Sequence, residues 1–498
     1  NESTLKLIEN LTKLNDCNEL EQIFLQKLKF GTAGIRAPMG PGFGCLNYQT
    51  IIAISRAFAF YLNTTQTPNI LIGYDTRHNS KRFAEICGLI MHSMNVKTNL
   101  LEKYVPTPLI SFGVPHFGYH WGIMITASHN PPIDNGFKIY SKNGQPILNH
   151  IETIIENNIN FDFDKPYIDK IIKNSADIFQ LIHQQDDENL IINLKEIKLA
   201  YYNEIGLFYN KLIQIDKNQT KVVYSAFHGV GKIYVEESFK YCDIDALVFT
   251  SSQCEPDPNF STLKFPNPEL GLKVYAESIA EADKHNLNVI FATDPDADRF
   301  CMCERKQNGG WHCFTGDEIA ALFCWWLWKS QKEMMKKKCY EESIGYICGP
   351  DFYTYDKDGI TAAVVAYKMI HFILNTKNIN ILDQLQSLYV KYGYHISENS
   401  FIAINNGEEI FNKIRNFTKI KGSNQCNKFK DYKISNFVDL TFGIDTSKKD
   451  NKSTYPKIKG NFLILNFDNN VTIRIRASGT EPKVKYYAEM VYQNVNQE

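Results

Sequence analysis

One serine stands where a covalent carrier would be expected. Ser128 follows the apolar run Trp121 to Ile125 and precedes an Asn-Pro-Pro turn. Proline cannot continue a strand, because it has no backbone N–H to donate. We therefore predict that Ser128 lies on a turn at the top of a strand, with its hydroxyl held outward. Lys138 follows an Asn-Gly turn and can fold back toward this serine. The alternative is a serine that merely caps a turn.

Three aspartates separated by single residues predict a metal site. Asp294, Asp296 and Asp298 lie just past an apolar run, and their carboxylates repel one another unless a cation lies among them. Hard oxygen ligands suit Mg²⁺, which also binds phosphate oxygens. An EF-hand is excluded, because Arg299 occupies the position of its glycine and Arg305 that of its last glutamate. A solvated acidic turn is the alternative.

Two glycine-containing stretches could bind an anion. The stretch Phe30 to Arg36 has two glycines around a threonine, which lets the backbone approach a ligand, and it ends in a guanidinium that suits a phosphate. The stretch Arg476 to Pro482 combines an arginine, hydroxyls and a glycine, which can form an oxyanion pocket. Lys483 and Lys485 add positive charge there. Taken alone, the second stretch is more typical of an ordinary surface turn.

The run Glu341 to Gly345 is a weaker signal. By itself it is typical of a helix start or a turn. A carboxylate and a hydroxyl can nevertheless form hydrogen bonds with the vicinal hydroxyls of a sugar.

Short apolar runs that end in polar loops must position these groups. The runs are Asn69 to Ile72, Trp121 to Ile125, Lys221 to Tyr224 and Asn288 to Phe291; helices are predicted at 4–28, 50–62, 81–94, 231–240, 271–285 and 311–330. Such alternation predicts parallel sheets covered by helices, with the ligand at the carboxyl ends of the strands. Its recurrence indicates repeated α/β units. Residues 386–498 alternate apolar and polar residues instead, which predicts a separate α+β domain with an antiparallel sheet.

The composition limits the partners and the compartment. The chain has 498 residues and a net charge of −1, which gives no reason to expect nucleic acid or a membrane surface as a partner. No apolar run is expected to approach the roughly 18 residues of a membrane span. The 12 cysteines are scattered without a Cys-x-x-Cys pair, which argues against a zinc site and a disulfide framework. With no signal-peptide core near the first residue, we predict a cytoplasmic protein with reduced thiols.

Five motifs occur together in one order: FGTAGIR, TASHNPP, DPDADR, EES and RASGTEP. In this order they resemble the motifs of the α-D-phosphohexomutases, the superfamily of phosphoglucomutase and phosphomannomutase. Gly73 to Arg77, Lys357 to Gly359 and Tyr392 to His395 are most similar to the eukaryotic phosphoglucomutase-2 branch. That branch includes phosphopentomutases and a glucose 1,6-bisphosphate synthase.

The resemblance implies an α/β fold with four domains around a central cleft. Three would be related α/β domains with mixed, largely parallel sheets, and the fourth a C-terminal α+β domain. We place a phosphoserine domain at 1–195, a metal-loop domain at 196–305, a sugar-binding domain at 306–385 and a phosphate-binding domain at 386–498.

The resemblance also implies a reaction and its residues. A phosphorylated Ser128 would donate to a small phosphosugar, giving a bisphosphate that turns over and returns its other phosphoryl group. Mg²⁺ would be held by Ser128, Asp294, Asp296 and Asp298. The residues around the transferring phosphoryl would be Arg36, His129, Lys138 and Arg299, with Lys138 or His129 as the acid–base group. Sugar hydroxyls would meet Glu341 and Ser343, and the other phosphate would meet Arg476, Ser478, Gly479, Thr480 and Lys485.

Several alternatives remain open at this stage. The substrate could be a hexose or a pentose phosphate, with glucose 1,6-bisphosphate as activator and a monomer or dimer as the working form. The chain could instead be a glucose 1,6-bisphosphate synthase or a non-catalytic regulatory relative. A haloacid-dehalogenase phosphatase is disfavoured, because its nucleophile is an aspartate in a different motif.

One stretch departs from the family pattern. Between the helix at 311–330 and Glu341, the family has a further strand, a helix and a loop that contacts the sugar. Only residues 329–340 fill that space here. Either the chain lacks the segment or the numbered sequence omits it, and we expect omission because a missing strand would break the sheet.

Overall fold

The computed structural model divides the chain into two compact units, Asn1–Ile381 and Leu382–Glu498. It describes residues 2–31, 33–64, 68–183, 193–215, 220–330, 339–349, 354–404, 407–418, 428–429, 431–458, 460–477 and 483–492. The predicted division into four domains stays a prediction.

The first unit begins with a six-stranded mixed sheet. Its strands are β1 (Phe30–Gly31), β2 (Gly34–Pro38), β3 (Asn69–Tyr74), β4 (Lys97–Leu100), β5 (Trp121–Ile125) and β6 (Asp134–Ser141). Their order is β1-β2-β6-β5-β3-β4. Strands β4, β3 and β5 are parallel, whereas β6, β2 and β1 continue the sheet antiparallel. The polar loops after β3 and β5 therefore leave the same edge.

Helices pack on both faces of this sheet. The helices of this region are α1 (Glu2–Lys13), α2 (Cys17–Phe24), α3 (Tyr48–Leu62), α4 (Ser80–Ser93), α5 (Thr107–His116), α6 (Asn149–Asn158), α7 (Lys165–Asn174), α8 (Ile178–His183) and α9 (Leu194–Lys211), of which α3 and α4 cover one face and α5 the other. Alternate residues of a strand face opposite sides. Ile70 and Ile72 of β3 accordingly join the core that contains α3 and α4, whereas Gly73 lies against Ile110 of α5.

The amino-terminal region differs from the prediction of one helix over 4–28. Two helices form instead, because Asn15 adopts a left-handed backbone with φ of 53°. Asp16 then caps the second helix, with its side chain accepting from the backbone N–H of Glu19.

A second sheet repeats the arrangement of the first. Its strands are β7 (Val222–Ser225), β8 (Leu247–Phe249), β9 (Val289–Thr293), β10 (Phe300–Arg305) and β11 (Trp311–Cys313), in the order β11-β10-β9-β7-β8. The helices α10 (Gly231–Tyr241) and α11 (Ala276–His285) connect the parallel strands. Strands β8, β7 and β9 are parallel and β10 is antiparallel, as are β4, β3, β5 and β6 in the first sheet. Two α/β units thus share one topology, as predicted.

The helix expected at 271–285 is shorter than predicted. A 3₁₀ segment, Pro268–Val274, precedes α11, and Gly271 interrupts it with φ of 70° and ψ of −160°. A left-handed glycine of this kind cannot continue a helix, so the chain turns there.

The rest of the first unit is a helix pair with a small hairpin. It consists of α12 (Gly316–Ser330), β12 (Cys339–Glu341), β13 (Gly345–Ile347) and α13 (Gly359–His371), followed by a π-helical turn, Phe372–Thr376. The aromatic stretch forms helix α12, with Trp326 buried and Trp328 exposed. The helix predicted over 311–330 is wrong at its start, because Trp311–Cys313 pairs with β10 as strand β11 and the helix begins at Gly316. Among the described residues, the sheet here has two strands.

One helical stretch, Gly359–Thr376, is long and apolar enough to cross a membrane by length and composition. The sequence pattern did not predict this stretch, because polar residues such as Lys368 and His371 interrupt its apolar residues. The stretch is mostly buried inside the protein, as is usual for a core helix.

The second unit is an antiparallel sheet covered by a helix. Its elements are α14 (Ile381–Tyr392), β14 (Tyr394–Ala403), α15 (Gly407–Thr418), β15 (Lys428–Phe429), β16 (Tyr432–Asp439), β17 (Ile444–Asp445), β18 (Phe462–Phe467), β19 (Val471–Ala477) and β20 (Lys483–Tyr492). The sheet runs β14-β20-β19-β18-β16-β15, with β17 paired to β16. Phe411 of α15 packs with Leu463 and Val484 of the sheet. The α+β architecture predicted from apolar alternation is confirmed.

A buried ion pair joins helix and sheet in this unit and generates a stability prediction. Arg415 donates from Nε to Asp439 Oδ2 over 2.7 Å, and both side chains are buried. Replacing Arg415 with Met should lower the free energy of unfolding of this unit by about 3 kcal/mol, because Asp439 is left as an unpaired buried charge. Urea denaturation followed by circular dichroism measures the change.

Lys413 provides the matched control for this substitution. It lies on the same helix and forms an exposed pair with Glu409. Lys413→Met should change the free energy of unfolding by less than about 0.5 kcal/mol. Equal effects of the two substitutions would contradict the prediction.

Candidate active site

Ser128 lies in a strained turn directly after β5. Its φ is 54°, in the left-handed region that non-glycine residues rarely adopt, and the residue is buried. Its backbone N–H donates to Thr126 Oγ1 over 2.9 Å, and that hydroxyl donates to Asp75 Oδ2 over 2.5 Å. The loop after β3 therefore supports the loop that carries the serine.

Arg77 holds the outer part of this turn. Its guanidinium donates to the backbone carbonyls of four residues at 2.6 to 3.1 Å: Ser128, Asn130, Pro131 and Asp134. It also pairs with Asp75 at 3.3 Å and lies 4.9 Å from the centre of the Phe260 ring. Because four carbonyls converge on one planar group, the turn is fixed in a single conformation.

The serine hydroxyl meets two groups that can accept its proton. Ser128 Oγ donates to Asp294 Oδ2 over 2.6 Å and lies 3.1 Å from His129 Nδ1. Burial, with positive charge on Arg299 and Arg36, holds the pKa of His129 well below its usual value. The imidazole is therefore neutral and can accept a proton.

The three aspartates form one buried cluster after β9. Asp294, Asp296 and Asp298 each offer a carboxylate oxygen within 4.8 Å of the others. Burial and the repulsion of the other two carboxylates raise the pKa of Asp294 well above its usual value. Among the described residues, Oδ1 of Asp296 and Oδ1 of Asp298 have no hydrogen-bond partner. Unpartnered hard oxygens in a mutually repelling set fit a divalent cation.

Lys138 neutralises part of this cluster. Its Nζ donates to Asp296 Oδ2 over 2.7 Å and to Asp298 Oδ2 over 2.9 Å. Burial disfavours the ammonium, but the two carboxylates outweigh burial and raise the pKa of Lys138. Thr107 also donates to Asp296 Oδ2, over 2.5 Å. Lys138 on β6 and Thr107 at the start of α5, both in the first α/β unit, thus hold the metal loop of the second.

The loop after β7 packs directly beneath the metal loop. The N–H of Val230 donates to the carbonyl of Pro295 over 2.8 Å. A Cβ on Gly229 would lie 2.2 Å from Pro295 Cα, so only glycine permits this approach. The Phe227 to Gly231 stretch therefore positions the aspartates.

Two buried guanidinium groups border the serine and the aspartates. Arg36 donates to Asn130 Oδ1 over 3.2 Å, and Arg299 donates from its backbone N–H to Asp294 Oδ1 over 3.0 Å. Burial and the charge of Arg299 lower the pKa of Arg36. Nε of each arginine has no hydrogen-bond partner among the described residues. Two guanidiniums that repel each other and keep unused donors can bind an anion.

The predicted sugar loop is the turn of the β12–β13 hairpin. Glu341 Oε1 lies 3.7 Å from Arg299 Nη2 and 3.9 Å from Lys357 Nζ. Ser343 is half-buried in the same turn. The helix start that was the alternative for this run does not form. The backbone of Phe300 donates to Ile344, which ties the hairpin to the strand that follows the metal loop.

The predicted residues for the second phosphate lie in the second unit. Arg476 and Lys485 are cross-strand partners on β19 and β20. Arg476 Nε donates to the hydroxyl of Tyr487 over 3.2 Å. Ser478, Gly479 and Thr480 lie outside the described residues.

Three residues of this site were not assigned a role from the sequence. They are Arg77, Thr107 and Lys357. Lys357 Nζ lies 3.6 Å from Asp298 Oδ2 and 3.3 Å from Asp356 Oδ1. Arg77 follows β3 at the edge where the other site loops lie, and this position in the sequence could have predicted that it belongs to the site. Thr107 and Lys357 carry no comparable local signal.

Comparisons with known proteins identify the family of this chain. Residues 27–164 match the family described as phosphoglucomutase/phosphomannomutase, alpha/beta/alpha domain I, and residues 200–309 match its domain II. The chain is 32% identical to the phosphopentomutase of Homo sapiens, over 98% of this chain and 89% of that protein. It is 33% identical to the glucose 1,6-bisphosphate synthase of Homo sapiens, over 98% and 88%.

Similarity to a solved structure supports the fold. The phosphoglucomutase pp63/parafusin of Paramecium matches with a TM-score of 0.60 and 16% identity, over 95% of this chain and 93% of that one. The alignment with the human phosphopentomutase spans 564 positions, more than the 498 residues here, so that relative has residues without a counterpart. Because named relatives align over nearly the whole chain, it belongs to the α-D-phosphohexomutases, in the eukaryotic phosphoglucomutase-2 branch, and is a phosphosugar mutase.

Proposed function

We propose that the chain interconverts the 1-phosphate and the 5- or 6-phosphate of ribose or glucose, with Ser128 as the phosphoryl carrier. The observation that carries this proposal is the position of Ser128 Oγ, 2.6 Å from Asp294 in the acidic cluster and 3.1 Å from His129 Nδ1. A serine hydroxyl is a poor nucleophile by itself, so a neighbouring acceptor must take its proton.

In the proposed reaction, phosphoserine first gives its phosphoryl group to a hydroxyl of the sugar monophosphate. The P–O bond to Ser128 breaks, a P–O bond to the sugar oxygen forms, and the proton of the sugar hydroxyl passes through the acid–base group, Lys138 or His129, to the departing Ser128 oxygen. When the bisphosphate returns its other phosphoryl, the P–O bond to the sugar breaks, a P–O bond to Ser128 forms, and the proton of the Ser128 hydroxyl passes by the same route to the sugar oxygen. His129 is suited to accept that proton, because its imidazole is neutral and adjacent to Oγ. Arg36 and Arg299 would stabilise the charge of the moving phosphoryl group.

The acidic cluster would hold Mg²⁺ through Asp294, Asp296, Asp298 and an oxygen on Ser128. The cation supplies positive charge that polarises the transferring phosphoryl group. The unpartnered carboxylate oxygens of Asp296 and Asp298 support this assignment.

The substrate would be held at its two ends by different groups. Glu341 and Ser343 suit sugar hydroxyls, and Lys357 lies beside Glu341. Arg476, Ser478, Gly479, Thr480 and Lys485 would hold the phosphate that is not being transferred. That site must accept either end of the bisphosphate, which favours a positive, hydroxyl-rich pocket.

A second candidate function is the synthesis of glucose 1,6-bisphosphate. It is supported by the 33% identity to the human synthase, which is equivalent to the 32% identity to the human phosphopentomutase. Glucose 1,6-bisphosphate would also serve the mutase as activator. We further propose a monomer or dimer as the working form. We also propose a cytoplasmic location, which the eleven free cysteines among the described residues support.

Replacing Ser128 with Ala should abolish mutase turnover, because it removes the hydroxyl that lies between Asp294 and His129. We expect the wild type to convert ribose 1-phosphate, glucose 1-phosphate or both, and the variant to lose at least about 1,000-fold in kcat/KM. Coupled spectrophotometric assays on the two sugars measure this.

Ser93→Ala is the matched control, since Ser93 is an exposed serine at the end of α4. It should retain wild-type turnover. If neither sugar is converted by a wild-type enzyme phosphorylated on Ser128, the synthase becomes the better assignment and the mutase proposal fails.

Removing divalent cations with EDTA should abolish turnover, and added Mg²⁺ should restore it. Mg²⁺ should also raise the melting temperature of the wild type, because it binds only the folded cluster. Asp296→Asn should reduce that shift, because one ligand loses its charge. Differential scanning fluorimetry across a Mg²⁺ series measures binding independently of activity.

Asp283→Asn is the control for the metal experiment, since Asp283 is an exposed carboxylate paired with Arg305. It should keep the full melting shift. If Mg²⁺ raised the melting temperature of Asp296→Asn as much as that of the wild type, the cluster would not be the metal site.

Replacing Arg77 with Lys should lower kcat by about 10- to 100-fold, because a misplacement of about 1 Å at the reacting atom has effects of this size. A lysine ammonium cannot reach the four carbonyls that the planar guanidinium binds. Steady-state kinetics measure the loss, and thermal unfolding shows whether the variant remains folded.

The control is Arg305→Lys, at the exposed end of β10. Its kcat should stay within about twofold of the wild type. A folded Arg77→Lys enzyme with wild-type kcat would show that the turn does not depend on this guanidinium.

A further inference from the structure

Arg299 faces three carboxylates, but only one lies at hydrogen-bond distance. Its Nη1 donates to Glu269 Oε2 over 3.1 Å. Its Nη2 lies 3.7 Å from Glu341 Oε1, and its Nε lies 3.9 Å from Asp298 Oδ1. Glu269 is therefore the group that fixes the orientation of this guanidinium.

The contact with Glu269 leaves one edge of the guanidinium available. A guanidinium binds an anion in bidentate fashion through two neighbouring donors, and Glu269 engages only Nη1. The edge formed by Nε and Nη2 faces Asp298 of the metal loop and Glu341 of the hairpin. Nε has no hydrogen-bond partner among the described residues. This edge borders the space where the reacting end of a phosphosugar must lie.

Glu269 is itself held in place. It stands at the start of the 3₁₀ segment Pro268–Val274, and its N–H donates to Asn267 Oδ1 over 3.1 Å. Nδ2 of Asn267 also donates to the Glu269 carboxylate over 3.4 Å. Gly271 interrupts the segment two residues later, so the carboxylate projects from a short stretch whose first residues are anchored by Asn267.

We propose that Glu269 is a positioning residue that presents the Nε–Nη2 edge of Arg299 to the phosphoryl group of the substrate. The inference rests on the proposed function. It assigns a role to the stretch between β8 and α11, which carries none of the catalytic motifs. Glu269 touches neither the serine nor the aspartates and acts through Arg299.

Loss of the Glu269 carboxylate has a specific electrostatic consequence. The guanidinium would be left near Glu341 and Asp298, both within 4 Å of it. Without the hydrogen bond from Nη1 to Glu269, attraction would draw the guanidinium closer to these two carboxylates, so that its Nε–Nη2 edge binds them instead of the phosphoryl group. It would also engage Glu341, which is needed for the sugar hydroxyls. Both KM and kcat would change.

The test compares Glu269→Ala and Glu269→Gln on the sugar phosphate that the wild type converts. We expect kcat/KM to fall about 10- to 100-fold for Ala. The loss should be smaller for Gln, whose amide oxygen still accepts from Nη1. Glu277→Ala, which removes an exposed carboxylate on α11 bonded to Ser252, should leave kcat/KM unchanged.

A double-substitution cycle separates positioning from general structural support. If Glu269 acts through Arg299, Glu269→Ala should lower kcat/KM by less than about twofold in an Arg299→Ala background. Losses that multiply in the double variant would overturn the inference, as would wild-type kinetics of Glu269→Ala. A thermal unfolding midpoint near that of the wild type shows that the fold is retained.

The same assay distinguishes this inference from the proposed function. Turnover by the wild type and its loss in Ser128→Ala report on the function alone. If both are observed while Glu269→Ala is unaffected, only the positioning role fails. If the wild type converts neither sugar, the proposed function is overturned and the inference with it.

Discussion

Mutual repulsion among three buried aspartates is the constraint on which the site depends. Asp294, Asp296 and Asp298 lie at alternate positions within five consecutive residues, and all three are buried. An unpaired charge in a buried position is costly. Positive groups from other elements compensate them, notably Lys138 and Lys357, together with Arg299 of the same loop. Burial opposes the charge of Asp298, but Lys138, Lys357 and Arg299 outweigh burial and hold its pKa below the usual value. The metal loop is therefore stable only when the surrounding elements are in place.

Backbone strain in the turn that carries Ser128 is a second constraint on the site. A serine at φ of 54° costs free energy on the order of 1 kcal/mol and persists only when its surroundings determine it. Arg77 and Thr126 hold the turn in this conformation through hydrogen bonds to its backbone. Asp75 in turn binds both of these side chains. The loop after β3 thus has a structural task, and the loop after β5 presents the reactive hydroxyl.

The sequence predicted the elements better than the contacts between them. Short β-branched runs marked β3, β5, β7 and β9 because such strands are buried on both faces, and their polar loops marked the site. Helix ends set by left-handed residues, such as Asn15 and Gly271, were missed, because any of several nearby polar residues could have ended those helices. Thr107 and Lys357 were also missed, since their roles come from partners more than 50 residues away. The periodicity of apolar residues indicates which face of a helix or strand is buried, but not which residues that face contacts.

The shared topology of the two sheets explains why serine and metal loop meet. In each sheet the site loop follows the third parallel strand, β5 or β9, and the next strand is antiparallel. Contacts cross between the sheets at this edge: Lys138 reaches Asp296, and the N–H of Thr107 donates to the carbonyl of Asp296 over 2.9 Å. The reacting groups therefore belong to one unit, whereas Arg476 and Lys485 lie in another.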